Sequence, residues 1–348
     1  MNAPPPRLSR WRRDGAHPSL AHGWLGAAWV AEKLAAAGRI APGPRWTQAL
    51  RRRLCREDVP LRRPDRTSHL VGSGGVPLLL AYVARRSPRA APELKRAVAR
   101  WRALCERSPK HDVMAGASGA LLAAAEIERI APGAIPAAFA GALRERSAAG
   151  LAAAVAGGRA YLGMAHGVAG YLLALETAGV AFGHPLPSRL RRRALDRLEA
   201  ERLDGPDRSA AWPAVATERD LRIQGWCHGA AGIALALTCC HALTSHRRYG
   251  RLAAPALNGA SAYSTGHASF CCGDVGRAQV LIEAYRLTGR RAWLRRARAI
   301  AGGIRFRARG RFSLGFHRGR LGFDYLGHRL AAPARLPLPG LGVFSAGC

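Results

Sequence analysis

A Gly-x-x-Gly pair followed by a small or apolar run recurs six times and constrains the fold more than any other feature of the sequence. The first glycines are spaced 44, 51, 62, 44 and 46 residues apart, and they are Gly72, Gly116, Gly167, Gly229, Gly273 and Gly319. A repeat of this length holds a helix, a connection, a second helix and a return loop. Paired glycines permit tight turns and close approach of backbones. The chain is therefore predicted to be a stack of helical hairpins, as an open solenoid or a closed ring.

The segments between the glycine pairs also have helical patterns. The runs after the glycines are rich in Ala and Leu and lack the alternation of a half-buried strand. The intervening segments, such as Pro92–Cys105 and Pro187–Leu203, are amphipathic, with arginines on the polar face. We expect an all-α protein with a helical or irregular N-terminal segment at residues 1–65 and one repeat domain at 66–348.

Composition narrows the class of protein. Of the 348 residues, 49% are hydrophobic, which excludes wholesale disorder. The longest apolar stretches, such as Val76–Val83, are far shorter than the ~20 residues that span a bilayer, and the N-terminus lacks the pattern of a secretory signal. These features predict a cytoplasmic protein without a membrane span.

The net charge of +32 arises from 54 basic and 22 acidic residues, and all but three of the basic residues are arginine. Such an excess can mark a polyanionic partner. The arginines are scattered as well as clustered, no nucleic-acid motif accompanies them, and nucleic acid is not the expected partner. An acidic peptide partner remains open.

Candidate functional residues stand just before the first glycines. Cys227 and His228 precede Gly229, Cys271 and Cys272 precede Gly273, and His166 precedes Gly167, whereas Asp112 lies four residues before Gly116. Equivalent loops of stacked hairpins lie at the same end of the assembly. If the hairpins close into a ring, these side chains therefore converge.

Three cysteines at such positions favour a thiolate-rich zinc site with an open fourth position, although free cysteines are also common core residues. Cys239 and Cys240 lie inside a helix and are interpreted as packing residues, and no role is assigned to the cysteines at 55, 105 and 348. Since the chain is predicted to be cytoplasmic, a disulfide framework is not expected.

The histidines and the aspartate have several interpretations. His166 is predicted to be catalytic, and Asp112 either orients it or caps the following helix. His228 is a fourth metal ligand, a support for Cys227 or a capping residue. His69, His267 and His317 are interpreted as structural.

The charge of the predicted site indicates its chemistry. Zinc with three thiolates carries a net charge of minus one, so a fourth thiol would be deprotonated on binding and would stay nucleophilic. The residues therefore predict zinc-assisted thiol chemistry, with His166 delivering a proton after the attack. They do not identify the electrophile.

The strings GASGALLA, AHGVAGYLLAL, GWCHGAAGIALAL and SFCCGDVGRAQVLIEAYRLTG resemble the LanC-like lanthionine cyclases over about residues 68–340. The Cys-Cys-Gly form is most similar to the cyclase domain of class II, LanM-type, lanthipeptide synthetases. The resemblance implies an α/α toroid and a zinc-dependent cyclase, which adds peptide cysteine thiolates to dehydroalanine or dehydrobutyrine to form lanthionine or methyllanthionine. It also implies that Cys227, Cys271 and Cys272 bind zinc, that His166 and Asp112 form the acid/base pair, and that His228 supports the first ligand.

The chain departs from the class II pattern in two ways. It is too short to contain the dehydratase domain of those enzymes, so it is a detached cyclase, a fragment, or the partner of a separate dehydratase. The partner that the resemblance implies is a dehydrated precursor peptide. Arg318 and Arg320 stand where the family tends to have neutral residues. The alternative function is a non-catalytic, zinc-containing protein that binds peptide for a separate lanthipeptide synthetase.

Overall fold

The computed structural model describes residues 19–56, 66–218, 220, 224–262, 264–306 and 315–338. Thirteen α-helices in these residues alternate between an inner and an outer layer. The inner layer contains α1 (Trp24–Ala36), α3 (Gly75–Arg86), α5 (Ala117–Ile130), α7 (Val168–Phe182), α9 (Ala230–Thr244), α11 (Asp274–Thr288) and α13 (Arg320–Ala331). The outer layer contains α2 (Pro44–Arg56), α4 (Ala91–Arg107), α6 (Ala137–Ala156), α8 (Ser188–Ala200), α10 (Arg247–Ala262) and α12 (Arg291–Gly303).

The inner helices close into a ring. Each inner helix packs against the next one along the chain, and α13 packs against α1. The fold is therefore an α/α toroid, which confirms the closed-ring alternative. Two short antiparallel strands, β1 (Leu203–Asp204) and β2 (Ala210–Ala211), lie between α8 and α9.

The two layers differ as the sequence pattern predicts. Inner helix α9 is buried continuously from Ala230 to Cys240, because helices pack on all of its sides. Outer helix α4 buries only one stripe, which includes Leu94, Trp101 and Cys105, and exposes basic residues on its other face. The arginine-rich outer helices thus cover the Ala- and Leu-rich inner ring.

Backbone hydrogen bonds link the loops that precede neighbouring inner helices. The residue two before the first glycine of a pair donates its N–H to the carbonyl of the matching residue in the next loop. The links run from Met114 to Ala165 (3.0 Å), Ala165 to Cys227 (2.8 Å), Cys227 to Cys271 (3.1 Å), Cys271 to His317 (2.9 Å), His317 to Ala21 (2.8 Å) and Ala21 to Leu70 (2.9 Å). A bond from Thr67 N–H to the Ala115 carbonyl (2.7 Å) completes the circle. Seven loops therefore meet at one face of the toroid.

The glycine pairs allow these loops to pack closely on the helices. A Cβ atom at Gly232, the second glycine of its pair, would lie 1.9 Å from the carbonyl oxygen of Trp226, six residues earlier. At Gly276 the corresponding distance to the Phe270 carbonyl is also 1.9 Å. Any side chain at these positions would push the loop off the helix.

The structure has a seventh glycine pair, in addition to the six that the sequence analysis identified. Gly23 and Gly26 flank the start of α1, and a Cβ at Gly26 would lie 2.3 Å from the Leu20 carbonyl. Helix α1 contacts α13 and α3 and so completes the inner ring. The predicted boundary at residue 65 stays a prediction, although this part of the N-terminal segment packs within the ring.

Candidate metal centre

The loops before α9 and α11 bring together three sulfur atoms. Cys227 N–H donates to the Cys271 carbonyl, so the two loops lie side by side, and Cys272 follows directly. The Sγ atoms of Cys227, Cys271 and Cys272 all lie within 4.8 Å of one another, and those of Cys227 and Cys272 are 3.5 Å apart. Cys227 and Cys271 are buried, whereas Cys272 is half-buried. The cluster is therefore open on one side.

These separations fit a tetrahedral zinc ion. Zn–S bonds of about 2.3 Å at tetrahedral angles place two sulfur ligands about 3.8 Å apart. The observed spacing lies around that value, and a set of three thiolates leaves one tetrahedral position for another ligand. Both the donor set and its geometry thus suit zinc.

The thiols of the cluster differ in pKa. Hydrogen bonds from Cys227 and Cys271, assisted by the positive charge of Arg318, lower the pKa of the Cys272 thiol below its usual value. The same hydrogen bonds and burial raise the pKa of Cys271. The cluster therefore already favours one thiolate, at its most exposed sulfur.

The other described cysteines take no part in this cluster. Cys239 and Cys240 are fully buried within α9, which agrees with their interpretation as packing residues, and Cys105 is buried in α4. Cys55 is exposed on α2. Cys348 lies outside the described residues. Across the part of the chain that the structure describes, no other group of three potential ligands has this spacing.

His166 and Asp112 lie side by side on adjacent loops. The Nδ1 atom of His166 is 3.2 Å from Oδ2 of Asp112, and Oδ1 of Asp112 accepts a hydrogen bond from the N–H of Ala115 at 2.7 Å. Burial alone would raise the pKa of Asp112, but the hydrogen bond and charge of His166 and the bonds from the backbone outweigh it and lower the pKa. Asp112 is thus an ionised carboxylate that both orients the imidazole and holds its own loop.

The His166 side chain remains accessible. It is 37% exposed, whereas that of Asp112 is 16% exposed. Since Nδ1 faces the carboxylate, the Nε2 atom is the one available to a substrate. This accessibility agrees with the expectation for His166, but its catalytic role stays a prediction.

His228 connects the imidazole of His166 to the sulfur cluster. Its ring stacks on that of His166 with centroids 5.6 Å apart, and its sequence neighbour is Cys227. Its Nδ1 atom is buried and has no hydrogen-bond partner within the described structure. Burial and the nearby His166 lower the pKa of His228. A neutral imidazole therefore lines the site without joining the three sulfurs.

Tyr161 is a site residue that sequence reasoning missed. Its ring lies 5.2 Å from that of His228 and 5.9 Å from that of His166, between ring centroids, and the side chain is 46% exposed. Large hydrophobic side chains with this exposure are rare among the described residues. The available signal was its position six residues before Gly167, where the glycine pair packs on the Tyr161 carbonyl.

His317 occupies the same loop position as Cys227 and Cys271, two residues before a glycine pair, and like them it is buried. Its ring packs against Trp226 and Phe270 with centroids 5.0 and 5.1 Å away. Burial and the neighbouring His22 and His69 hold its pKa well below the usual value. His317 is thus a neutral packing residue beside the site, in agreement with its structural interpretation.

The two unusual arginines have different surroundings. Arg320 is exposed and pairs with Asp324, with Nε 2.7 Å from Oδ1. Arg318 is exposed at the loop position that corresponds to Cys272, and its charge favours the Cys272 thiolate. Arg318 therefore adds positive charge beside the sulfur cluster.

Comparison with known proteins identifies the family of this chain and the class of its fold. Residues 14–340 match the family model described as "Lanthionine synthetase C-like protein", and the chain belongs to that family. Among solved structures, the fold is similar to nisin cyclase, with a TM-score of 0.71, 15% identity and coverage of 97% of this chain and 95% of that one. No curated protein sequence matches.

These comparisons place the chain in the family but leave its subclass a prediction, since they do not link it to the LanM-type domains in particular. No helix among the described residues is long and apolar enough to cross a membrane.

Proposed function

We propose that this protein is a zinc-dependent lanthipeptide cyclase. Its substrate is a dehydrated precursor peptide, and it forms lanthionine or methyllanthionine by adding cysteine thiolates to dehydroalanine or dehydrobutyrine. The observation that carries the proposal is the convergence of Cys227, Cys271 and Cys272, with an open side, next to the His166–Asp112 pair. Membership of the lanthionine synthetase C-like family supports it.

The three thiolates would hold zinc and leave one coordination position facing the open side. When bound there, zinc would lower the pKa of an incoming cysteine thiol and keep the sulfur nucleophilic. Arg318 offsets part of the negative charge that four sulfurs would accumulate. The buried sulfurs of Cys227 and Cys271 keep two of the ligands away from water.

His166 would move the proton. In its neutral form, Nδ1–H donates to Asp112, so Nε2 accepts the proton that the substrate thiol releases. The sulfur electron pair forms the C–S bond at the β-carbon, the C=C π electrons move to the α-carbon, and His166 returns the proton there. The atoms of thiol and alkene are all retained in the thioether, and no oxidant or reductant is needed.

The partners follow from this reaction. The alkene must be made by dehydration of serine or threonine, so we propose that a separate dehydratase acts first. The net charge of +32 favours an acidic peptide, and we propose that the reaction takes place in the cytoplasm.

Mass spectrometry after thiol alkylation tests the proposal. The zinc-loaded protein is incubated with a peptide that contains a cysteine and a dehydroalanine, and free thiols are then alkylated. Cyclisation leaves the peptide mass unchanged but removes the alkylation adduct. Cys271→Ala should abolish both zinc binding and this loss of free thiol, whereas Cys239→Ala, which changes a packing residue, should retain both.

The same assay separates the alternative function. A zinc-containing partner without catalytic activity would bind the peptide and leave its thiol free to be alkylated. That result with fully zinc-loaded protein, and with a dehydrated peptide that another cyclase does close, would contradict the proposal.

A further inference from the structure

A groove lies on the outside of the toroid, between outer helices α10 and α12 and above the C-terminal ends of α9 and α11. Its volume is about 690 Å³, within the range of pockets that bind ligands. The floor is apolar and includes Leu257, Leu287 and Trp293. None of these residues belongs to the site described above.

The rim of this α10–α12 groove is basic. Arg247, Arg251 and Arg290 line it, and all three are exposed. No acidic residue lines the groove within the described structure. An apolar floor below a basic rim suits a partner that combines carboxylates with large apolar side chains.

The chain's own carboxylates in this region have other partners. Asp196 and Glu199 pair with Arg248, and Glu283 is buried between Arg286 and Arg329. Among the described residues, no carboxylate is paired with the rim arginines, which leaves their positive charge available to a partner.

A second basic cavity shows what is particular to the groove. That cavity, of about 380 Å³, includes Arg189, Arg191, Arg192 and Arg248, but Leu195 is its one apolar side chain. Two of its arginines are already paired, Arg191 with Glu176 and Arg248 with Asp196. It therefore has neither the apolar floor nor the unneutralised rim.

We propose that the α10–α12 groove is a docking site for an acidic peptide segment that carries large apolar side chains. The apolar side chains bury against Leu257, Leu287 and Trp293, and the carboxylates pair with Arg247, Arg251 and Arg290. The site is separate from the sulfur cluster. Cys227 precedes α9 and the other two cysteines precede α11, whereas the groove lies near the opposite ends of both helices. The 15 residues of each helix span about 22 Å.

Fluorescence anisotropy tests this proposal with a fluorescein-labelled peptide in which glutamate alternates with leucine and phenylalanine. The double variant Arg251→Glu/Arg290→Glu reverses two exposed rim charges and should weaken peptide binding by about tenfold or more. The matched control, Arg189→Glu/Arg192→Glu, makes the same change of net charge in the second cavity and should weaken it less than about twofold. A peptide with serine in place of leucine and phenylalanine should lose most of its affinity.

Several outcomes would overturn the proposal. Equal weakening in both double variants would show that binding depends on the overall positive charge. Binding of the serine peptide with full affinity would exclude the apolar floor. A dimer of the protein that dissociates in Arg251→Glu/Arg290→Glu would assign the groove to a second copy of the chain, and selective loss of RNA binding with unchanged peptide binding would assign it to nucleic acid.

Peptide binding at the groove does not depend on the proposed cyclase activity. The Cys271→Ala variant, which should lose zinc, is expected to bind the labelled peptide with unchanged affinity. If that variant loses peptide binding, the peptide occupies the sulfur site and the groove is not its docking site.

Discussion

Replacing Gly232 by alanine tests how the glycine pairs build the sulfur cluster. The added Cβ would lie 1.9 Å from the carbonyl oxygen of Trp226 and 2.7 Å from the Cβ of Met164. A carbon and an oxygen need about 3.2 Å, so the Trp226 carbonyl has to move by about 1.3 Å. Because Trp226 is bonded directly to Cys227, the displacement reaches one of the three sulfurs.

The expected effect is a loss of both stability and metal binding. Overpacking costs about 1–3 kcal/mol, and the clash here is with backbone at the closely packed start of α9, so we expect the upper end of that range. Metal sites tolerate deviations of about 0.2 Å in ligand distance, which is much less than the required shift. Urea unfolding and the zinc content of the purified protein measure the two effects.

Gly141→Ala is the matched control. Gly141 lies inside α6, and a Cβ there would meet no atom within 4 Å. The same chemical change should therefore raise stability by about 0.5–1 kcal/mol through helix propensity and leave zinc content unchanged. If Gly232→Ala is as stable as the original protein and binds one zinc, the packing of the glycine pairs does not position the cluster and the reasoning is wrong.

Three further predictions concern the proton donor, acid stability and a buried ion pair. His166→Gln should slow thioether formation by about 10²–10⁴-fold with unchanged zinc content, as measured by the alkylation assay. The pKa of His317 is lowered in the folded protein, so unfolding takes up a proton and the free energy of unfolding falls as the pH drops below about 6.5. Between pH 7.5 and 5.5, the free energy of unfolding of the metal-free protein should therefore fall by about 1.4 kcal/mol more than that of the His317→Phe variant. Urea unfolding at the two pH values measures this difference. Glu126→Gln leaves the buried Lys33 ammonium without its carboxylate and should lower the free energy of unfolding by about 3–5 kcal/mol. Glu106→Gln, which breaks an exposed ion pair with Arg102, should change it by less than about 1 kcal/mol. Equal effects of the two variants would contradict the role of burial.

The helices could be predicted from sequence because their signals are local. The segments Pro92–Cys105 and Pro187–Leu203 were predicted to be amphipathic helices, and α4 and α8 cover them to within a few residues. The convergence of Cys227 and Cys271 was predicted for a closed ring, because each stands two residues before a glycine pair, and Cys272 follows Cys271 directly. The family and the toroid, which the motif strings implied, are confirmed.

The remaining features depend on the closure of the ring, which no single segment encodes. Whether α13 meets α1 depends on the small rotation between successive repeats. The sequence motifs alone therefore could not distinguish a closed ring from an open solenoid. The burial of His317 depends on Trp226 and Phe270 from two preceding loops. The contact of Tyr161 with His228 likewise joins residues 67 positions apart, at a distance that sequence spacing does not specify.

The placement of all candidate residues at one face of the toroid has an electrostatic consequence. The N-terminal ends of the inner helices share that face, and the aligned peptide dipoles of each helix give its N-terminal end a partial positive charge. Cys272 stands directly before α11 and Asp112 stands before α5, so the Cys272 thiolate and the Asp112 carboxylate both lie where these partial charges favour an anion. The C-terminal ends, where an anion would be disfavoured, carry the groove whose rim supplies full arginine charges instead. The face that holds the N-terminal ends of the parallel inner helices therefore favours thiolates. At the opposite face, the proposed binding of an acidic partner requires the exposed arginines of the α10–α12 groove.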